Sequence, residues 1–177
     1  MKKALKLVAI VFAVVIVVVA GVGVFLPSDF GGTITQSVTA PADKMVQLLA
    51  TPKSWLKWSP WNTTAMPGME STYSGPDLGV GAQWSWTQEQ GNGSLTVNEY
   101  EPSKQMSYKL TFEGMNHPMT GNVVFSPDGD NVKVTWSYKG EMGSNLMFRW
   151  VMLFVGDAMD DEYQKAIDGL AKAALNS

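Results

Sequence analysis

Val132-Lys133-Val134-Thr135-Trp136-Ser137-Tyr138-Lys139 is the stretch that decides the fold. Val132, Val134, Trp136 and Tyr138 fall on one side of a two-residue period, and Lys133, Thr135, Ser137 and Lys139 fall on the other. A strand with this pattern keeps one face in a core and the other in water, as in an antiparallel sheet. Upstream, Met106, Tyr108, Leu110 and Phe112 alternate in the same way with Ser107, Lys109 and Thr111. Trp84 with Trp86, Leu95 with Val97, and Val123 with Phe125 mark three further strands, and Tyr73 ends another. Turn signals at Gly91-Asn92-Gly93, Glu101-Pro102-Ser103 and Pro127-Asp128-Gly129-Asp130 separate them, so the strands form a meander of hairpins.

Downstream the period changes to that of a helix over about residues 145–174. Its second half is amphipathic, with Met159, Tyr163, Ile167, Leu170 and Ala174 recurring at three and four residues. Residues 146–155 are apolar on nearly every side except at Arg149, as in a helix that is buried or faces another apolar medium. Gly156 marks the change and permits a bend. Ahead of the strands, residues 32–40 contain a short strand ending at Ala40-Pro41. Pro41 opens a helix over residues 42–49, which carries Met45, Val46, Leu48 and Leu49, and Thr51-Pro52 stops it. A short helical turn is expected around residues 53–58. The economical packing is α+β: a curved antiparallel sheet of about six or seven strands, with the long helix across its concave face.

At the amino end an uncharged run begins at Leu7 and ends at Leu26. Twenty helical residues rise about 30 Å, the thickness of a bilayer's hydrocarbon core. Lys2, Lys3 and Lys6 precede the run, and basic residues favour the cytoplasmic side. Residues 1–26 therefore read as a single-pass anchor in the inner membrane of a bacterium, with residues 32–177 forming a domain that faces the periplasm or exterior. A cleaved signal peptide, with Val18 and Ala20 before Gly21, is the alternative, and either reading exports the domain.

Composition narrows the chemistry. The chain has 177 residues, 45% hydrophobic and 16% charged, below the roughly 25% charged residues of a typical soluble protein. That balance excludes a disordered or nucleic-acid-coating chain. Without the three leading lysines, ten basic residues face sixteen acidic ones, a net charge of −6, so nucleic acid is not an expected partner. The absence of cysteine excludes disulfides, thiolate metal sites and a cysteine nucleophile, and a single histidine excludes multi-histidine metal sites. No metal or cofactor is expected, and no Ser-His-Asp arrangement can be assembled.

Several pieces together resemble a known group: Trp58-Ser59-Pro60-Trp61, Tyr73-Ser74-Gly75-Pro76, Gly79-Val80-Gly81-Ala82, Trp84, Val134-Thr135-Trp136, and Asp160, Tyr163, Gly169 and Leu170 on the last helix. In this order, over about residues 33–175, the chain resembles the START/Bet v 1-like (SRPBCC) superfamily in its polyketide cyclase/dehydrase-like branch. The resemblance implies a helix-grip fold with a deep hydrophobic cavity between sheet and carboxy-terminal helix. It also implies an apolar ligand, since members bind lipids, sterols and polyketides and only some catalyse.

The expected cavity residues are Trp84, Trp86, Tyr108, Phe112, Trp136 and Tyr138 from the strands, with Met147, Trp150 and Phe154 from the helix. The competing reading is that these large side chains simply fill a core. Tyr108 and Tyr138 supply hydroxyls that orient a polar ligand end. Arg149 either meets a ligand carboxylate or phosphate or snorkels to the surface. Trp55, Trp58 and Trp61 staple the short helices onto the sheet or form a lid or mouth. Gly75, Gly79 and Gly81 lack the lysine and serine of a phosphate loop and serve a turn. His117, between Asn116 and Pro118 in a loop, lacks an oriented partner. Asp157, Asp160, Asp161 and Glu162 read as a solvated helix face, with Asp160 fixing a loop as a structural residue. The function these readings favour is a membrane-tethered binding or carrier domain for a hydrophobic small molecule or lipid. The alternatives are a cyclase/dehydrase-like enzyme on an apolar substrate and a non-catalytic interaction module with a filled core.

Overall fold

Seven strands make one sheet, each pairing antiparallel with its neighbours in the order β1-β7-β6-β5-β4-β3-β2. The computed structural model describes residues 2–177. The side chains of residues 2–5, 7–9, 13, 15, 148, 153 and 157, among them Lys2, Lys3, Leu7 and Asp157 named above, lie outside the described residues. The elements are α1 (Lys2–Phe25), β1 (Asp29–Val38), α2 (Ala42–Leu49), a short 3₁₀ turn (Pro52–Ser54), α3 (Trp55–Trp58), β2 (Glu70–Ser74), β3 (Gln83–Thr87), β4 (Gly93–Glu101), β5 (Gln105–Phe112), β6 (Met119–Asp128), β7 (Asn131–Glu141) and α4 (Leu146–Leu175). This is the helix-grip α+β arrangement, with α4 packed against the sheet.

The two-residue period of β7 becomes burial: Val134, Trp136 and Tyr138 are buried, while Lys133 and Lys139 lie on the outer face. β5, β3, β4 and β6 repeat the pattern through Met106 and Tyr108, Trp84 and Trp86, Leu95 and Val97, and Val123 and Phe125. Large rings fit this inner face because glycines stand opposite them in register. Trp86 pairs with Gly93, Tyr108 with Gly121, Phe30 with Gly140 and Tyr138 with Gly32. A Cβ at Gly121 would overlap the buried Tyr108 ring. The glycine is where the ring lies.

β1 departs from the sequence reading, which expects a short strand within residues 32–40. It starts at Asp29 and pairs with β7 over its whole length, from Asp29 opposite Glu141 to Val38 opposite Val132. Gly31 and Gly32 look like chain-end punctuation in the sequence, yet they are ladder residues across which the β7 backbone and the Tyr138 ring approach closely. At the other end of the sheet, Gly75, Gly79 and Gly81 adopt positive φ in the turn between β2 and β3. The amides of Gly79 and Gly81 donate to the carbonyls of Ala50 and Val97, tying this turn to the end of α2 and to β4.

α2 buries Met45, Val46 and Leu49, and α4 buries Tyr163, Ala166, Ile167, Leu170 and Ala174. α4 runs unbroken through Gly156. It comes down on α3 at Gly169, where a Cβ would collide with the Trp58 carbonyl oxygen. Gln36 on β1 donates to Asp168 on α4 at 2.6 Å, closing the same seam from the sheet side.

The expected transmembrane span falls on α1. Among the described residues no helix is long and apolar enough to cross a membrane. The side chains of α1 at residues 7–9, 13 and 15 lie outside them.

The two α4 glycines give a paired test. Both replacements by alanine gain the same helix propensity. Among the described residues, and apart from the helix's own adjoining backbone, no heavy atom stands within 4 Å of where a Cβ at Gly156 would lie, so Gly156→Ala should stabilise by about 0.5–1 kcal/mol. Gly169→Ala must push α4 off the Trp58 carbonyl and should destabilise by about 1–3 kcal/mol. Denaturant midpoints of the full chain measure both, and two shifts of the same sign would refute this seam.

Candidate ligand cavity

Between the inner face of the sheet and α4 lies a cavity of about 310 Å³. β3, β4 and β5 supply its sheet wall through Trp84, Trp86, Leu95, Tyr108, Leu110 and Phe112. Trp55 and Trp61 close one side, and α4 contributes Val155, Ala158, Met159, Glu162 and Tyr163. The floor is buried at Trp55, Trp84, Trp86, Leu95, Tyr108 and Tyr163. The rim, formed by Met66, Phe112, Ala158, Met159 and Glu162, is partly or fully exposed. An engineered apolar cavity of about 150 Å³ stays dry and holds benzene, so this space suits a molecule roughly twice that size. A larger hollow of about 680 Å³ lies over polar side chains including Thr33, Asn98, Gln105, Ser107, Asn122 and Ser137. Those residues belong to the sheet's wet face, where little apolar ligand surface leaves water. The smaller, apolar space is the better ligand site.

The polar features of the cavity are few. Among the described residues Glu162 is the one charged side chain lining it, and Lys165 holds that carboxylate at 2.6 Å. Deeper in, the Trp136 indole N–H donates to the Tyr108 hydroxyl at 2.9 Å, and the Tyr163 hydroxyl interacts with that of Tyr108. Burial pushes the Tyr108 hydroxyl up to about 12, partly offset by Tyr163 and by the bond from Trp136. Burial also raises Tyr163, and Tyr108 beside it acts in the same direction. These hydroxyls therefore stay protonated at physiological pH: they can donate to a ligand's carbonyl, and they are poor bases.

The expected residues separate into three groups. Trp84, Trp86, Tyr108 and Phe112 line the cavity. Trp136 and Tyr138 do not. Trp136 is fully buried behind Tyr108, edge-on to Trp55 and Tyr163. Tyr138 stacks on Tyr163 at 4.3 Å and donates to Asp160 at 2.8 Å, so Asp160 holds a strand side chain and not the loop expected of it. Burial raises the Tyr138 hydroxyl, with the bond to Asp160 and that carboxylate's charge adding to it. Met147 and Phe154, expected in the cavity, are 77% and 81% exposed, and Trp150 turns to α1, where its N–H donates to the Val19 carbonyl at 3.1 Å. The correction has a simple cause: the turns of α4 that cover the cavity lie beyond residue 154, and those before it extend past the sheet wall toward α1.

Arg149 lines a separate hollow of about 170 Å³ and donates to the carbonyls of Gly143, Val24 and Leu26. Trp55 and Trp61 are cavity walls, whereas Trp58 is buried and gives its N–H to Ser54 at 3.0 Å. His117 is exposed. Among the described residues no group of three potential metal ligands gathers. Sequence reasoning missed Leu95, Leu110, Met159 and Tyr163 as lining residues, although their strand and helix periods already pointed them inward. Met66 and Ala158 carried no such signal.

The tyrosine network sets an alkaline limit on stability. Below pH about 10, Tyr108 is protonated in both folded and unfolded chains. Between about 10 and about 12 the unfolded chain releases this proton and the folded chain keeps it, so stability should fall as pH rises through that window. Urea midpoints taken from pH 8 upward check the slope. Tyr108→Phe should reduce it and, by leaving the Trp136 N–H unpaired, cost about 1–2 kcal/mol at neutral pH.

Comparison with known proteins agrees with this geometry. A protein from Helicobacter pylori is similar over 82% of this chain and 87% of its own, at 13% identity and a TM-score of 0.59. A protein from Chromobacterium violaceum matches over 81% and 96%, at 14% identity and a TM-score of 0.58. The Aha1 dimer from Colwellia psychrerythraea matches over 82% and 96%, at 14% identity and a TM-score of 0.54. At such identities the likeness is one of fold. A search of the curated proteins finds no match. Residues 32–175, nearly the whole chain beyond α1, match the family model described as polyketide cyclase / dehydrase and lipid transport, and the chain belongs to that family.

Proposed function

We propose that the chain is a membrane-tethered binding or carrier domain, which holds a hydrophobic small molecule or lipid between the sheet and α4. The observation that carries this reading is the cavity of about 310 Å³, walled by aromatic and aliphatic side chains and bordered by the Glu162 carboxylate. Transfer of apolar ligand surface from water supplies the affinity, at roughly 25 cal/mol per Å² buried. The protonated hydroxyls of Tyr108 and Tyr163 orient a polar end without taking a proton from it. The family's description, which includes lipid transport, supports the ligand class.

The tether belongs to this proposal and rests on sequence. Twenty uncharged residues from 7 to 26, preceded by three lysines, match the length and the charge asymmetry of a single-pass anchor whose following domain is exported. Anchoring confines the cavity beside a lipid supply. A second reading, a cyclase/dehydrase-like enzyme, draws support from the same family description, with the two hydroxyls donating to a substrate carbonyl.

Full chain purified in nanodiscs should carry an apolar molecule that organic extraction and mass spectrometry reveal. Four tryptophans line the cavity, so adding that molecule to stripped protein should change the emission. Ala158→Trp fills the rim from an exposed position and should weaken binding by about tenfold or more while leaving the circular dichroism unchanged. An empty protein whose emission ignores added lipids would refute the carrier reading.

A further inference from the structure

The first half of α4 is the part of the fold that the cavity does not use. Met147, Val151 and Phe154 recur at four and three residues, forming one stripe, and are 77%, 45% and 81% exposed. Water is a poor neighbour for such a stripe on a folded helix. Its surroundings on the molecule point to another medium, because the same turns are fastened to the end of α1.

Two side chains make that attachment. Arg149 donates to the carbonyls of Leu26 at 3.0 Å and Val24 at 3.3 Å, where α1 ends and its last carbonyls lack helical partners. The same guanidinium binds the Gly143 carbonyl just ahead of α4, so it joins the two helix ends. Trp150, one residue on, reaches back to the Val19 carbonyl, and Gly23 leaves room for its indole. Val19 lies seven residues before Leu26, which is about 10 Å along a helix.

We infer that the first turns of α4 are embedded in the outer leaflet of the bilayer beside the end of α1, with Met147, Val151 and Phe154 facing acyl chains. This rests on the reading of α1 as the tether. If residues 7–26 fill a hydrocarbon core of about 30 Å, Leu26 stands at its outer boundary and Val19 about 10 Å inside it. A helix whose tryptophan bonds Val19 has to enter that layer. Trp150 then occupies the depth at which an indole keeps its ring in apolar surroundings while its N–H is satisfied by protein. The consequence concerns the cavity: Val155, Ala158 and Met159 follow directly on α4, so the rim opens next to lipid. The ligand class this favours is a membrane lipid or another bilayer-dissolved molecule, loaded laterally without crossing water.

The chain has no cysteine, so single-cysteine variants report one position each. Ile16→Cys in α1, Met147→Cys and Phe154→Cys in α4, and Lys133→Cys on the outer face of β7 would each carry an environment-sensitive fluorophore. The full chain is reconstituted in vesicles of phosphatidylcholine and phosphatidylglycerol whose acyl chains bear a nitroxide quencher. Emission at Ile16, Met147 and Phe154 should fall by about half or more, as expected within a hydrocarbon layer, and emission at Lys133 should not change. Quenching at Ile16 with none at Met147 and Phe154 would overturn the inference and leave the tether standing. No quenching at Ile16 would remove the tether and the inference with it. Circular dichroism of each variant confirms that the fold is intact.

Discussion

The indole N–H of Trp136 has to be satisfied in the middle of a core, and the arrangement around it follows from that need. A buried donor left unmade costs more than a made bond gains, so the position demands an acceptor. Tyr108, across β6 on the same inner face, supplies it at 2.9 Å. That ring is too large for a sheet with side chains at every position, and Gly121 opposite gives it room. Tyr163 on α4 then lies beside Tyr108, stacks on Tyr138 and meets Trp136 edge-on, which sets where the long helix crosses the strands. Trp55 approaches both Tyr108 and Trp136 edge-on from the other side. Sheet, long helix and short helices thus meet at one hydrogen-bonded aromatic cluster.

This cluster also explains why part of the inner face is hollow. Trp136, Trp58 and Tyr138 fill the space where α3 and the second half of α4 come close to the sheet, a closeness that Gly169 permits. Toward β3 and β4 the helix surface offers Val155, Ala158 and Met159, which are smaller than the gap to Trp84, Trp86 and Leu95. Rings held by hydrogen bonds and by their glycine seats do not collapse to fill it. The apolar void is the remainder of a packing problem solved on the other side of the cluster.

How much of this is legible in the sequence depends on whether a feature is local. The strands are legible because alternation at Val132, Val134, Trp136 and Tyr138 is written within eight residues, and the second half of α4 shows its stripe in the same way. The division of aromatics between cavity and core is not, because it depends on which ring faces which glycine across the sheet. Trp86 and Trp136 look alike in sequence: one lines a cavity and the other fills a core. The first half of α4 carries a real ambiguity, since a helix apolar on all sides satisfies a core and a lipid layer equally well. That pattern alone puts Met147, Trp150 and Phe154 in the cavity, and only the exposure of Met147 and Phe154 and the bond from Trp150 to Val19 move them out.

Arg149 shows how one polar residue can settle such an ambiguity. In a buried helix its guanidinium would need a carboxylate or a ligand anion, because an unpaired charge in a core is prohibitively costly. Here it reaches carbonyls of Gly143, Val24 and Leu26, the kind of unpartnered acceptors that a helix end and a turn leave behind. The residue that interrupts the apolar stretch therefore fastens α1 to α4. That junction makes the orientation of the domain relative to α1 a property of the fold, where a flexible linker would leave it free. A cavity whose rim continues the same helix then keeps a fixed position relative to whatever surrounds α1.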